Sequence, residues 1–318
     1  MLQNRHFFLL LSLGLMIACQ PNAQEERSAN SGIPAVATSN RASTDLDPYW
    51  YQGKAELNSY ELEQSRYGEI HPGYAVLVFV TEDFLTDKQV KNESYQSSNS
   101  TKILKTNHLR KFPTGIYDYA LMTSVFNSVD RGKYPHALKV SFSAQDWCGQ
   151  SFMQINNRGK GYEVEIRSYF EQEGDQNYTV NQELMLEDEL FNLVRIDPMA
   201  LPTGKISLYP SATYTRLLHE PFEALEATAS RNAYTGSEFT GPELMEYRIV
   251  YRKANRSVSI VYESASPYRI AGWKESTLNP YTKKELSTVA KRKKTMLSPY
   301  WSQHDLADAG LRKELGIE

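Results

Sequence analysis

Short segments of alternating apolar and polar residues dominate this chain from about residue 48 onward, with Gly, Pro and Asn between them. Such alternation is typical of β-strands that bury one face. Two earlier stretches differ. Phe7–Ile17 is almost entirely apolar, whereas Gln20–Leu46 is polar, lacks aromatic residues and has little periodicity. The pattern therefore predicts a single β-rich domain at residues 48–301, preceded by a flexible tether at residues 19–47.

The strand predictions differ in character along the chain. Tyr74–Val80 is apolar at consecutive positions, which indicates a central strand covered on both faces. Lys283–Met296 fits either a helix or a strand, and the turn at Asn279-Pro280 favours the strand. Further strands are predicted at Ala55–Arg66, Ile103–Phe112, Ile116–Val125, His136–Gln145, Ser151–Ile155, Tyr162–Phe170, Lys205–Tyr209, Leu244–Tyr251, Ser257–Glu263 and Tyr268–Thr277. These amount to about nine to eleven strands joined by regular turns.

Two segments have helical spacing. Asn181–Arg195 places leucines at helical intervals, and its acidic turn Glu187-Asp188-Glu189 is expected on the solvated face. Ser302–Leu315 predicts a surface helix ended by Gly316, so residues 302–318 form a C-terminal helix. The predicted fold class is mainly β: a large antiparallel curved sheet, open barrel or sandwich, with one internal helix and a short C-terminal helix.

The apolar run near the start has the form of a secretory signal. Arg5 precedes it, and its length is below the roughly 20 residues needed to span a bilayer. Its end, Leu15-Met16-Ile17-Ala18-Cys19, resembles the bacterial lipobox, which implies removal of residues 1–18 and acylation of Cys19. Gln20 rather than Asp follows the cysteine, and by resemblance to lipoprotein sorting this implies the outer membrane of the cell envelope. An ordinary cleaved signal with an accidental cysteine is the alternative.

The amino-acid composition makes some kinds of binding partner and some covalent links less favoured. The formal net charge is −3, which argues against nucleic acid. With Cys19 acylated, Cys148 has no partner for a disulfide. The 21 tyrosines suit ligand-stacking platforms, but they also suit curved sheets, so their number does not decide between the two. The cluster Tyr49-Trp50-Tyr51 is expected to pack on the core rather than to bind a ligand.

Cys148, with its neighbours Asp146 and Trp147, is the candidate catalytic centre. A cysteine nucleophile needs a base, and no nucleophile signature surrounds this cysteine. Because free cysteines are among the most buried residues, a structural, buried role is the favoured interpretation. The histidines are scattered singly, and phosphate-binding glycine loops are missing, so no metal and no cofactor are predicted.

The strongest charge run is Lys291-Arg292-Lys293-Lys294. Lysines on an edge strand discourage pairing between sheets, and this is the favoured interpretation of the run. Contact with anionic membrane head groups is the alternative.

Four segments carry a resemblance to a known group of proteins: Tyr49–Phe84, Ser143–Gln150, Leu186–Pro198 and Leu201–Ile206. They resemble uncharacterised Bacteroidota envelope lipoproteins, often labelled septum formation inhibitor, the nucleotide pyrophosphatase family. That label implies a cytosolic α/β enzyme with a Ser-Pro-Arg-Arg loop, and the loop is missing from this sequence. No catalytic residue is therefore carried over.

A weaker similarity concerns periplasmic β-rich proteins of a domain-of-unknown-function family. It rests on the segment Gly68–Ala75 together with the helical segment Leu186–Val194. The similarity implies a curved β architecture and no activity.

The sequence favours a membrane-anchored envelope lipoprotein with a non-enzymatic binding or structural domain. Its partners would be the membrane, through the anchor, and a lipid, a glycan or an envelope protein. An envelope hydrolase with a dispersed site around Cys148 is the alternative from another class. A nucleotide pyrophosphatase of the septum formation inhibitor type is a third hypothesis, and it requires cytosolic residence.

Overall fold

The computed structural model describes residues 46–279 and 282–317, so the signal at residues 1–18, Cys19 and nearly all of the tether lie outside the described residues. The described chain forms sixteen strands. They are β1 Ala55–Arg66, β2 Glu69–Leu85, β3 Val90–Lys91, β4 Ser100–Thr114, β5 Tyr117–Ser128, β6 Lys139–Asp146, β7 Gly149–Asn157, β8 Tyr162–Ser168, β9 Gln176–Val180, β10 Met185–Leu186, β11 Gly204–Tyr209, β12 Leu225–Ala233, β13 Leu244–Tyr251, β14 Arg256–Glu263, β15 Ile270–Leu278 and β16 Glu285–Ser298.

Helical structure is short and scattered. Three α-helices are present in the described chain: α1 Leu190–Ile196, α2 Ala212–Leu218 and α3 Gly310–Leu315. Turns of 3₁₀ helix lie at Pro48–Tyr51, Glu187–Glu189, Pro198–Ala200, Tyr300–Ser302 and Leu306–Ala309. Of the helices in these residues, none is both long enough and apolar enough to cross a bilayer.

All sixteen strands belong to one curved, open sheet, which confirms the predicted fold class. The order is β10-β11-β12-β13-β14-β15-β16-β1-β2-β4-β5-β6-β7-β8-β9, and β3 pairs with β2. Every pair is antiparallel except β10 with β11. Curvature brings the two ends of this order together, because the rings of Tyr162 on β8 and Tyr209 on β11 lie 5.8 Å apart.

Both faces of the central sheet are covered. On the face that holds α1 and α2, the largest core cluster includes Ala75, Leu77 and Phe79 of β2. Their neighbours Val76, Val78 and Val80 pack in a second cluster with Leu315 of α3. Side chains alternate along a strand, so an uninterrupted apolar run is what burial on two sides requires. The prediction of a central strand at residues 74–80 is confirmed.

Several predicted segments correspond to observed strands, and others were missed. The preference for a strand at residues 283–296 is confirmed by β16. Two elements fall in segments that the pattern left polar: β12 and the second internal helix, α2. Strand β16 as a whole is not an edge strand, because it pairs with both β15 and β1. Its pairing with β15 ends at Lys291, so the rest of the basic run, Arg292–Lys294, pairs with β1 alone. The predicted edge position is therefore wrong for the strand but fits these three residues.

The predicted helix at residues 181–195 is only partly correct. Its α-helical part begins at Leu190, and residues 185–186 pair with β11 as a short strand. The prediction that Glu187, Asp188 and Glu189 face solvent is wrong, since all three are buried. This segment is enclosed by the curved sheet, so its polar side chains find partners inside the protein.

Candidate functional site

The acidic turn before α1 makes charged hydrogen bonds inside the protein. Both guanidinium nitrogens of Arg256 on β14 donate to Glu187, and the Tyr251 hydroxyl on β13 donates to Glu187 Oε2 over 2.5 Å. Burial alone would raise the pKa of Glu187, but the Arg256 guanidinium outweighs it and holds the pKa below its ordinary value. The turn is thereby joined to β13 and β14.

Glu189 and Asn192 join α1 to the other half of the sheet. Glu189 accepts from the backbone N–H of Ala137 over 2.6 Å and from Asn127 Nδ2 over 2.7 Å. His136 Nδ1 lies 3.0 Å from Glu189 Oε1. Asn192 Nδ2 donates to Leu104 O on β4 and to Asn127 Oδ1 on β5. The buried side chains of Glu189 and Asn192 are thus both hydrogen-bonded, which offsets the cost of removing them from water.

The end of α1 carries a fully buried ion pair. Arg195 Nη1 and Nη2 donate to the two carboxylate oxygens of Glu56 over 2.5 and 2.8 Å. The guanidinium lies 4.7 Å from the ring of Trp50 and 4.6 Å from that of Phe79. Burial would raise the pKa of Glu56, but Arg195 and the donors Tyr49 and Asn58 lower it to about 2. The Tyr49-Trp50-Tyr51 cluster thus packs on the core in part, as expected, with Trp50 buried.

A small enclosed cavity lies between α1 and the sheet. It measures about 20 Å³ and is lined by Asp188, His108, Arg110 and Glu275, among others. A water molecule needs roughly 10–15 Å³ of such volume, so the cavity has room for about one water molecule. It is too small for a lipid or a sugar. The interior around α1 is therefore an assembly of paired side chains rather than a ligand pocket.

The cavity holds two titratable groups with displaced pKa values. Burial raises the pKa of Asp188 to about 7, opposed by the Ala212 N–H that donates to it and assisted by the charge of Glu187. Burial, with the positive charge of Arg110, lowers the pKa of His108 well below its ordinary value. Arg110 itself pairs with Glu275 over 2.5 Å. Burial thus favours the neutral form of both groups.

The structure separates Cys148 from any catalytic partner in the described residues. The cysteine is exposed, so the expectation of a buried cysteine is wrong. It lies with Trp147 in the tight turn between Asp146 and Gly149, where no second layer covers the side chains. Asp146 Oδ1 accepts from the Cys148 backbone N–H over 2.7 Å, which shapes the turn.

No hydrogen bond within residues 46–279 and 282–317 joins the Cys148 thiol to a histidine. The five histidines in the described residues have other partners: His71 with Arg66, His108 with Arg110, His136 with Glu189, His219 with Glu173 and His304 with Asp305. In the same part of the chain, no three His, Cys, Asp or Glu side chains are grouped so that they could bind a metal.

An open groove at one end of the sheet brings together three exposed aromatic side chains from distant segments. Tyr51 comes from the first 3₁₀ turn, Tyr95 from the connection between β3 and β4, and Trp301 from the turn after β16. They are 44%, 70% and 50% exposed. The groove encloses about 300 Å³, and we call it the aromatic groove. Tyr51 belongs to the aromatic cluster that was expected to pack on the core, and no local pattern connects it with Tyr95 or Trp301, since these residues are up to 250 positions apart.

Charged side chains line the same groove. Lys102 Nζ lies 3.6 Å from Asp83 Oδ1, and Lys91 and Glu82 complete the charged lining, together with Val80 and Thr81. Flat aromatic faces beside ammonium and carboxylate groups offer stacking area and hydrogen bonds at once. This combination suits a sugar, whose ring presents C–H groups on its faces and hydroxyl groups at its edge.

No family model, no curated protein and no solved structure matches this chain.

Proposed function

We propose that this chain is an envelope lipoprotein, anchored through Cys19, whose β domain binds a glycan in the aromatic groove without catalysing a reaction. One observation carries the glycan assignment: Tyr51, Tyr95 and Trp301 converge on a groove that is also lined by two lysines and two acids. Large aromatic side chains left in water at one place are the feature that marks a binding surface.

A glycan fits this groove better than a lipid. The groove is open along its length, and four of its lining side chains are charged, namely Glu82, Asp83, Lys91 and Lys102. An acyl chain would gain little there, because burying it would also remove water from those charges. The enclosed cavity beside α1 is too small for a lipid, at about 20 Å³.

Binding without catalysis also fits the acids of the groove. Glu82 and Asp83 are consecutive residues of β2, so they lie side by side on one strand and do not face each other across the groove. Glycoside hydrolysis needs two carboxyl groups that face each other across the scissile bond, about 5–10 Å apart. Each acid also pairs with a lysine, Glu82 with Lys105 and Asp83 with Lys102.

The test uses the chain from Ser39 onward, which forms a compact unit by itself. Binding of neutral and amino-sugar oligosaccharides would be measured by isothermal titration calorimetry. We expect Trp301→Ala to weaken binding about tenfold or more, because a stacked aromatic ring contributes about 1–3 kcal/mol in comparable ring contacts. Tyr51→Ala should have a similar effect.

Tyr169→Ala is the matched control, because Tyr169 is 78% exposed and lies at the other end of the strands. Wild-type protein that binds no member of the panel, or a Tyr169 variant that loses binding equally, would overturn the assignment. The anchor is tested separately by incorporation of labelled palmitate in cells, which Cys19→Ala should abolish.

A further inference from the structure

Four large apolar side chains occupy the turns at the end of the sheet opposite the aromatic groove. Tyr67 lies in the β1–β2 turn, Ile116 in the β4–β5 turn, Trp147 in the β6–β7 turn and Tyr169 directly after β8. Successive antiparallel strands place these turns at one end. We call the four residues the aromatic rim. Their exposed fractions are 55%, 82%, 72% and 78%.

The rim differs from the aromatic groove in that its four side chains lie on separate hairpin turns. Neighbouring strands lie about 4.8 Å apart, so consecutive hairpin tips follow at about 10 Å intervals. Turn tips normally carry Gly, Asn, Asp or Ser, whereas these carry residues that gain from leaving water. The rim is thus a row of separate apolar projections.

Neighbouring residues hold the rim side chains in place. The Tyr67 hydroxyl lies 2.6 Å from the Tyr119 hydroxyl, and the Arg66 guanidinium stacks 4.2 Å from the Tyr67 ring. The ring of Trp147 lies 6.4 Å from that of Tyr117. Tyr169 covers Gly149 so closely that a Cβ there would lie 2.7 Å from its ring. Binding through Tyr67, Trp147 and Tyr169 therefore costs little additional conformational entropy.

The chemistry of the rim fits a lipid surface better than a sugar or a peptide. Ile116, the most exposed of the four, has no ring face for stacking on a sugar. More than half of each of the four side chains is exposed, so the rim offers apolar surface directly to solvent. Trp and Tyr with aliphatic side chains are the residues that settle at the head-group level of a bilayer.

Charge and chain length agree with this partner. Both signs of charge occur near the tips: the exposed acids Glu69, Asp118 and Glu171, and the exposed Lys283 and Lys284 in the β15–β16 turn beside Gly68. Since neither sign predominates, we expect apolar insertion rather than charge attraction to drive the contact. The 28 residues from Cys19 to Leu46 can span about 90 Å, which exceeds the roughly 40 Å length of twelve-residue β1. A domain anchored at Cys19 can therefore bring its far end to the same bilayer.

We propose that the aromatic rim inserts Tyr67, Ile116, Trp147 and Tyr169 into the head-group region of a bilayer as a second, non-covalent membrane contact. This contact is independent of the glycan groove and does not need the acyl anchor to be measured.

The experiment is sedimentation of the chain from Ser39 onward with vesicles of phosphatidylcholine, or of phosphatidylethanolamine with phosphatidylglycerol. We expect binding to both, nearly unchanged between about 0.1 M and about 0.5 M NaCl, because screening does not weaken apolar insertion. The double variant Ile116→Ser/Trp147→Ser should lower the partition coefficient about 100-fold, since each lost side chain contributes about a factor of ten.

Leu306→Ser is the matched control: it removes a side chain that is 97% exposed at the other end, and it should bind vesicles like the wild type. Three results would overturn the proposal: no vesicle binding by the wild type, binding that disappears with salt, or a dimer that the double variant dissociates. The double variant should keep its glycan affinity, so failure here is distinguishable from failure of the proposed function.

Discussion

Charged side chains are buried in the interior around α1, whereas large aromatic side chains are exposed at the two ends of the sheet. Most proteins show the opposite distribution. Glu187, Glu189 and Arg195 are buried beside the helix, whereas Trp147 and Trp301 are exposed at opposite ends. Charged side chains are almost never fully buried unless they are paired, and exposed apolar clusters mark contact surfaces. We infer that the buried charged residues stabilise the fold, whereas the exposed aromatic residues at the two ends are accessible to binding partners.

Pairing explains how the interior tolerates charge. Arg195 shares two hydrogen bonds with Glu56, and Arg256 shares two with Glu187. Such pairs gain little over apolar packing, but they penalise every arrangement that separates the partners. We infer that they fix the position of α1 against both halves of the sheet.

The largest expected effect follows from breaking one of these pairs. Arg195→Met leaves the Glu56 carboxylate buried without its guanidinium, so the free energy of unfolding should fall by about 3–5 kcal/mol. Urea denaturation followed by circular dichroism measures it. Lys253→Met is the control, because the Lys253–Glu226 pair is exposed on both sides, and stability should hardly change.

The variant could be too unstable to purify, and the double variant Glu56→Gln/Arg195→Met addresses this. It removes both charges, so it should recover part of the lost stability. An Arg195 variant as stable as the control would break the distinction between interior and surface charges.

The next effect concerns pH. Asp188 has a pKa of about 7 in the folded protein and an ordinary value of 3.8 when unfolded. Its contribution to stability is therefore complete below about pH 4 and is lost as the pH rises through about 7. His108 acts in the opposite direction, because its lowered pKa makes the folded protein lose stability as the pH falls below about 6.5.

Asp188→Asn isolates the first of these contributions. The variant keeps His108 and an acceptor for the Ala212 N–H, but it has no carboxyl proton to lose. Relative to wild type, it should gain about 3 kcal/mol in unfolding free energy between about pH 4 and about pH 8. Denaturation series across that range measure the difference, and a constant difference would contradict a raised pKa at Asp188.

A smaller effect is expected at the groove. Trp301→Ala removes a side chain that is half exposed, so the free energy of unfolding should change by less than about 1 kcal/mol while glycan affinity falls. Thermal denaturation and calorimetry on the same preparation compare the two. A large loss of stability would show that Trp301 belongs to the core and would sharpen the boundary between interior and groove.

The smallest effect is expected at Cys148. Cys148→Ser should change stability by less than about 0.5 kcal/mol, because the turn is exposed. In the chain from Ser39 onward it is the single cysteine, so iodoacetamide labelling reports on it alone. We expect the native thiol to react like that of a small cysteine peptide. A rate much above that would favour the hydrolase alternative.

Local pattern was sufficient for much of the fold. Period-two alternation located β6 and the hairpin of β13 and β14, and the unbroken run at residues 74–80 located a strand with two covered faces. Helix α2 had a readable signal in Ser211, whose hydroxyl caps it, but the polar residues around it concealed that signal. For the candidate sites, the sequence named Cys148 and its neighbours, which have no catalytic partner among the described residues. Of the groove aromatics it named Tyr51, as part of a cluster expected on the core, and did not connect it with Tyr95 or Trp301.

The sequence alone was enough to predict the β class, the central strand and the end of the last helix at Gly316, because each depends on residues that are close along the chain. The α-helical part of that helix begins at Gly310 and not at Ser302 as predicted, since residues 306–309 form a 3₁₀ turn. Tertiary structure alone decided that Glu187-Asp188-Glu189 is buried, since their partners Arg256, Ala212 and Asn127 lie on remote elements. It alone also assembled Tyr51, Tyr95 and Trp301 into one groove. Sheet curvature and strand order set both results, and hydrophobic periodicity carries no information about which distant strands become neighbours.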